Sequence, residues 1–496
     1  MPRRSTALRI FFTGWILFSA HFSSNVVRET YLAITLGESL SVRVDEYMGL
    51  HPDLFGIPGR GAYINSNPGA SILGAVPYAL ARPFLDALYR ARPDLVAPKP
   101  PATYDDPRPN RTAFMNESRA RGLDIKLGLA AAVTLVGLMA PASALAMVLM
   151  YYFLSARLKD ERQATWLALL YGFGTPIFFR TAFLNQNLLL AHFVLIALAA
   201  LVWPRSEGAG PSRRSERVAG FCLGVSILLD YSAAPMALAF GAWIVGTRWL
   251  DTGAGAAVRG GLDFSLGAAG PILTLLSYQW AAFGSPWFPA QRYMPPTEFS
   301  VLGWNGMTLP TPELLVGNLL DPTYGLLAFC PMLVAAAAAP FLRNHSGAPG
   351  ARELLLIFGS TVALWLFASA NQFSNLQFNT GVRYLVPAVP LLFVALVPVL
   401  LRAPRLLVWA LVLPTMAISW SVSMAREDVP TSLTRVFLMG PELPWVTVLA
   451  RMASGYTPFL ADGVSPLMIL AALAVVVWLI WRGGGPLSPL ERPIEG

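Results

Sequence analysis

Twelve apolar runs, each close to the length that crosses a bilayer, constrain this chain more than any other feature. They lie near residues 7–25, 127–155, 163–181, 186–203, 216–231, 233–249, 262–283, 324–342, 353–370, 384–401, 405–422 and 465–482. A helix needs roughly 20 such residues to cross about 30 Å of hydrocarbon. Only 13% of the residues are charged and 55% are hydrophobic, whereas a soluble domain carries about 25% charge. The short alternating segments of a β-barrel are absent. The expected fold is an all-α polytopic membrane protein with about twelve transmembrane helices. The pair at 216–249 also reads as one broken hairpin.

The net charge of +8 comes from basic residues in short connections between the runs. No Lys/Arg block with interleaved aromatics suggests nucleic acid. The two cysteines, Cys222 and Cys330, sit inside apolar segments and form neither a disulfide framework nor a metal pattern. Arg3 and Arg4 precede the first run as they would in a signal peptide, but "FSAHFSSN" is a weak cleavage site, so 1–25 is read as a retained first helix.

Loop charge sets the orientation. With a cytoplasmic N-terminus, the inner loops are "ARLKDER", "RSEGAGPSRRSER", "TRWLDTGAGAAVRG", "LRNHSGAPGARE", "LRAPR" and the tail from Arg482, and every one contains Arg or Lys. The short outer connections 182–187 and 229–234 contain neither. Both termini are then cytoplasmic. The long first outer loop is 26–122, and the rest of the bundle, 123–496, carries outer loops 284–323, 371–383 and 423–463. The first loop holds 10 of the 28 acidic residues, which places the chemistry there.

Within that loop, 26–38 has the spacing of a short amphipathic helix, with Val27, Tyr31 and Ile34 on one face. Glu29 lies in its first turn, where a carboxylate suits the helix dipole. "GRGAYINSNPGAS" reads as a turn-rich bend. Residues 70–90 read as a pair of interfacial helices, and the Pro-rich piece "RPDLVAPKPPATYDDPRPNR" as a surface excursion.

At these residues the sequence resembles the bacterial GT-C fold integral-membrane glycosyltransferases, in particular the protein-mannosyltransferase-like and RgtA/B/C/D-like groups. The resemblance runs through "RETYLAI…RVDEY…GAYINSNPGASILGAVPYAL", "YGFGTPIFF…LNQNLLLAH", "GVSILLDYSAAP", "SYQWAAFGSPW", "DPTYGLLAFCPM" and "TGVRYLVPAVPLL". Two departures stand out. Asn67 replaces the usual Lys of the bend, and the acidic pair common after the first span is here Arg28-Glu29, with Asp45-Glu46 as a second pair.

The resemblance implies transfer of a hexosyl or pentosyl group, with inversion, from a polyprenyl-phosphate-linked donor to a glycan, lipid or protein acceptor. The site would face the periplasm from the bacterial inner membrane. One carboxylate serves as general base, and Glu29, Asp45 and Glu46 are the catalytic candidates. Arginines suit the donor phosphate; Arg28, Arg292 and Arg383 sit at that depth. His51, Asp53, Asn65, Asn67, His192, Asp230 and Tyr384 complete the substrate-binding candidates, Asp230 because an acid within apolar sequence is costly. No cofactor is fixed by these residues: Asp and Glu of the first loop could hold a divalent cation, but no spacing there matches a known site. The competing readings are an O-antigen ligase or polymerase, whose large loop comes late in the chain, and a transporter or flippase, which predicts internal repeats and mid-membrane charge.

Overall fold

A computed structural model describes residues 4–102, 109–203, 211–345, 347–377, 381–456 and 466–482. Parts of the Pro-rich excursion, of loops 204–210, 371–383 and 423–463, and the tail from 483 lie outside the described residues.

The chain starts with α1 (Arg4–Ala20) and turns into α2 (Arg28–Ser39). A two-stranded antiparallel hairpin follows, β1 (Leu54–Ile57) with β2 (Gly61–Ile64), in register Leu54 to Ile64. The bend expected from "GRGAYINSNPGAS" is thus partly strand. Four-residue strands are too short for an alternation signal to separate them from turns. Ala62, Tyr63 and Ile64 are all buried. Gly61 has φ +113°, and a Cβ there would collide with the Arg43 side chain.

The next element, α3 (Gly69–Ala91), is one continuous helix with Pro77 and Pro83 inside it, and not the expected pair. Each proline removes one donor from the ladder, and packing along α2 offsets that loss. A Cβ at Gly137 would meet Pro77 at 2.6 Å, so the glycine lets α3 approach the bundle there.

After α4 (Pro109–Ala120), α5 (Asp124–Thr134) passes through a π-helical turn at Leu135–Met139 into α6 (Ala140–Leu158). This 35-residue rod is roughly 50 Å long, well beyond the hydrocarbon thickness. α2 and α3 pack along its N-terminal part. The bundle continues through α7 (Glu161–Phe173), α8 (Ile177–Arg180), α9 (Gln186–Val202), α10 (Arg213–Leu229), α11 (Ala234–Thr252) and α12 (Ala254–Phe283). Then come α13 (Pro312–Leu320), α14 (Leu326–Phe329), a 3₁₀ stretch Pro331–Leu342, α15 (Ala351–Ala370), α16 (Val389–Arg402), α17 (Arg405–Ala425), α18 (Val429–Met439), α19 (Pro444–Tyr456) and α20 (Pro466–Trp481).

The apolar runs overlap helices in this order, though 163–181 is broken between α7 and α8 and 324–342 is largely the 3₁₀ stretch. Among the described residues three helices, Asp124–Leu158, Ala351–Ala370 and Arg405–Ala425, are long and apolar enough to cross a membrane. The segment 216–249 is two helices meeting at Asp230, whose side chain accepts from the Ser232 N–H at 2.8 Å.

Ion pairs sort the loops into two ends. Arg157–Glu353, Arg248–Glu216, Arg352–Asp251 and Arg213–Asp263 join loops at one end. Arg28–Asp53, Lys126–Glu38, Lys126–Glu46 and Arg435–Glu442 lie at the other. Buried side chains form two clusters. The larger fills the bundle. The smaller joins α2, the hairpin and α3 to the end of α12 at Tyr278 and Phe283. Ala33 belongs to the first cluster while Tyr31, Leu32 and Ile34 belong to the second, so α2 lies on the seam and is buried on more than its expected face.

Candidate active site

The first turn of α2 carries Arg28 and Glu29 onto that seam. Glu29 is 3% exposed. The Arg28 Nε donates to Glu29 Oε1 at 2.9 Å and its Nη1 donates to Asp53 Oδ2 at 2.6 Å. Charge-assisted bonds of this kind are the strong ones. Burial alone would lower the Arg28 pKa, but Glu29 and Asp53 outweigh it and keep the guanidinium firmly charged.

Asp53 is supplied by the turn before β1. Its Oδ1 accepts from Asn65 Nδ2 at 2.8 Å, and the Asn65 N–H donates to the Asp53 carbonyl at 3.1 Å. The hairpin therefore sets the carboxylate by both ends of its register. Burial pushes the Asp53 carboxyl up, yet Arg28, His51 and Arg383 more than offset that and hold it below the ordinary range. The His51 Nδ1 accepts from the Asp53 N–H at 3.0 Å, which leaves its proton on Nε2. Burial, with Arg28 and Arg383, pushes the His51 pKa down against the pull of Asp53 and Glu29.

Gln186, the first residue of α9, closes the group from the bundle side. In the amide orientation that satisfies both neighbours, its nitrogen donates to Glu29 Oε1 at 2.7 Å and its oxygen accepts from Arg28 Nη2 at 3.2 Å. In that orientation its oxygen, not its nitrogen, is the amide atom 3.4 Å from the Asp230 carboxylate, so no hydrogen bond links the two.

Three further arginines reach this end of the bundle from separate segments. Arg180 ends α8 and is 2% exposed. Arg426 caps α17 in the left-handed region and donates to the Phe179 carbonyl. Both stand over the Phe183 ring. Arg383 lies over the Tyr384 ring at 5.2 Å, and the backbone N–H groups of both residues donate to Gln377 Oε1 at 3.1 Å. Arg383 acts electrostatically on His51, on Asp53 and on Arg180, and Glu29 acts on Arg180. The four arginines are thus one electrostatic unit with the carboxylates. Such a unit offers an anion site beside a proton acceptor.

Of the residues expected from sequence, the structure brings together Arg28, Glu29, His51, Asp53, Asn65, Arg383 and Tyr384, with Asp230 beside them and capping the Ser232 N–H. Five lie elsewhere. Asp45 accepts from the Ala62 N–H at 2.6 Å and pairs with Arg43 at 2.7 Å on the surface. Glu46 is exposed and pairs with Lys126 at 3.3 Å. Asn67 Nδ2 donates to the Ile227 carbonyl at 2.8 Å, tying the bend to α10. His192 is inside the bundle, 2.9 Å from Ser143 Oγ. Arg292 is exposed on a single 3₁₀ turn. Among the described residues no three metal-ligating side chains converge.

Sequence reasoning missed Arg180, Gln186 and Arg426. The signal was available for the arginines: one closes an apolar run in "TPIFFRTAF" and the other follows one in "SVSMARED", and charge in such a place asks for a function. Gln186 offered none.

No protein-family model matches the chain, and no curated protein matches it. Among solved structures it is similar to the crystal structure of ArnT from Cupriavidus metallidurans bound to undecaprenyl phosphate, at 17% identity and a TM-score of 0.47, over 96% of this chain and 74% of that one.

Proposed function

We propose that this protein is a membrane glycosyltransferase that moves a sugar from a polyprenyl-phosphate donor to an acceptor hydroxyl at the outer face. In this reading its twelve apolar helices all cross the bacterial inner membrane, both termini are cytoplasmic, and the Glu29–Arg28–Asp53 group faces the periplasm. The observation that carries it is the meeting of that group with Arg180, Arg383 and Arg426 at one end of an apolar bundle. A sugar linked to a lipid phosphate needs both parts.

Asp53 is the proton acceptor in this scheme. It is held ionised and its side chain is 31% exposed, whereas that of Glu29 is 4% exposed. Glu29 instead anchors Arg28, which fixes Asp53. The acceptor oxygen forms its bond to the anomeric carbon while the bond from that carbon to the phosphate oxygen breaks. The bonding pair leaves with the phosphate, and the proton passes to Asp53. Attack from the face opposite the phosphate inverts the anomeric centre. The departing phosphate gains charge, and the arginines stabilise that gain more than they stabilise the donor.

The ligase and transporter readings gain no support from a specific contact. The test supplies purified protein in nanodiscs with a panel of polyprenyl-phosphate sugars and envelope acceptor extracts, and follows donor loss by mass spectrometry. The expected result is turnover of at least one donor, lost in Asp53→Asn. Full turnover by Asp53→Asn would overturn the role of Asp53, and no turnover of any donor would overturn the enzyme.

A further inference from the structure

Phe183 lies in the connector between α8 and α9 and is 3% exposed. The Arg180 guanidinium stands 5.1 Å from its ring centroid and the Arg426 guanidinium 5.2 Å. The two cations act unfavourably on each other, and Arg383 adds to that. One aromatic ring therefore keeps together two like charges that repulsion would separate. An aromatic face carries negative potential that attracts a guanidinium, and more so where water is excluded.

The ring is held on a pinned backbone. Asn185 Nδ2 donates to the Arg180 carbonyl at 2.7 Å and to the Phe183 carbonyl at 3.2 Å. Asn185 Oδ1 meanwhile accepts from the Leu188 N–H at 3.0 Å and caps α9. The Ser23 N–H donates to the Ala182 carbonyl at 2.9 Å. The same connector thus carries Arg180, the ring and the start of the helix that presents Gln186.

We infer that Phe183 is a positioning residue that sets the spacing of Arg180 and Arg426 for the donor phosphate. The inference rests on the transferase reading and deepens its phosphate site. A leucine of similar bulk fills the space but offers no charged-face attraction. The guanidiniums then relax apart and phosphate affinity falls, while Asp53, held by Arg28 and Asn65, keeps its partners. KM for the donor rises and kcat changes little.

The test uses the full chain in nanodiscs with a polyprenyl phosphate lacking sugar as the binding probe, alongside turnover with the active donor. Phe183→Leu is expected to weaken probe binding at least tenfold, since one desolvated cation–π contact of about 2 kcal/mol corresponds to about thirtyfold. Phe183→Tyr, which keeps the ring, stays within about twofold of wild type. Phe183→Met repeats the loss should the leucine variant fail to fold. Phe178→Leu is the control, because that buried ring packs on Trp420 and His21; it lowers the unfolding temperature and leaves probe binding unchanged. Wild-type-like binding by Phe183→Leu or Phe183→Met, or an equal loss in Phe183→Tyr, overturns the inference alone. Failure of the wild type to bind any polyprenyl phosphate overturns the transferase reading and the inference with it.

Discussion

Two acid–base groups of similar composition flank the hairpin, and they have opposite characters. Arg28, Glu29 and Asp53 form one, and Arg43, Asp45, Glu46 and Lys126 the other. In the second, the side chains of Arg43 and Asp45 are 55% and 47% exposed, and exposed pairs of this sort contribute about 0–1 kcal/mol. In the first, Arg28 is 12% exposed and the Glu29 side chain 4%, and it faces Arg180 and Arg383 from the bundle. Burying ions costs several kcal/mol unless each has partners. Here Asn65, Gln186 and the backbone of the hairpin turn supply them. The exposed group fastens the hairpin to the loop; the buried one concentrates opposite charges where water is scarce. Residue type did not distinguish them, and distant partners did.

Breaking the buried group should have the largest effect. Arg28→Met leaves two carboxylates without their cation, and removing one partner of a buried pair typically costs about 3–5 kcal/mol. Thermal unfolding in detergent and donor turnover should both fall sharply. Asp53→Asn keeps the shape and removes the proton acceptor. Turnover is expected to drop about 10²–10⁴-fold, the usual worth of a general base, with a smaller loss of stability than in Arg28→Met because Arg28 keeps Glu29.

Arg383→Gln tests the cationic half. Donor KM should rise at least tenfold, about 1.4 kcal/mol, with a smaller change in kcat. In the exposed group, Asp45→Asn and Glu46→Gln should each cost no more than about 1 kcal/mol and leave turnover near wild type. A loss as deep as that of Asp53→Asn would erase the contrast between the two groups.

Acidification sharpens the same contrast. Asp53 has a folded pKa below its unfolded value, so its stabilisation is present above the unfolded value, about 3.9, and is lost as pH falls through the folded one. His51 is also shifted down in the fold. The unfolded chain therefore takes up its proton first, and stability declines as pH drops below about 6.5. His51→Gln should flatten the part of the stability–pH curve that begins near that value, measured by denaturation between neutral and mildly acid pH.

Much of the helical fold was legible because apolar length is a local property. The apolar runs overlapped helices, and α2 was readable from Val27, Tyr31 and Ile34. The hairpin was not, because its strands are four residues long and their burial depends on Phe283, more than 200 positions away. The site was half legible. Glu29, Asp53 and Arg383 stood out as ionisable groups at outer ends. Asp45 and Glu46 looked equal to them, since nothing in their neighbourhood reveals that Asp45 faces Ala62 and solvent. Arg180 was absorbed into an apolar run, and Gln186 owes its place to α9 starting where α2 starts.

The most direct test of the account measures sugar transfer by Asp53→Asn and Asp45→Asn side by side, in the same nanodiscs with the same donor, acceptor extract and protein amount. The account predicts that Asp53→Asn loses transfer by at least a hundredfold while Asp45→Asn keeps it within about twofold. Loss of transfer in Asp45→Asn, with Asp53→Asn still active, would move the chemistry to the exposed group and contradict the account.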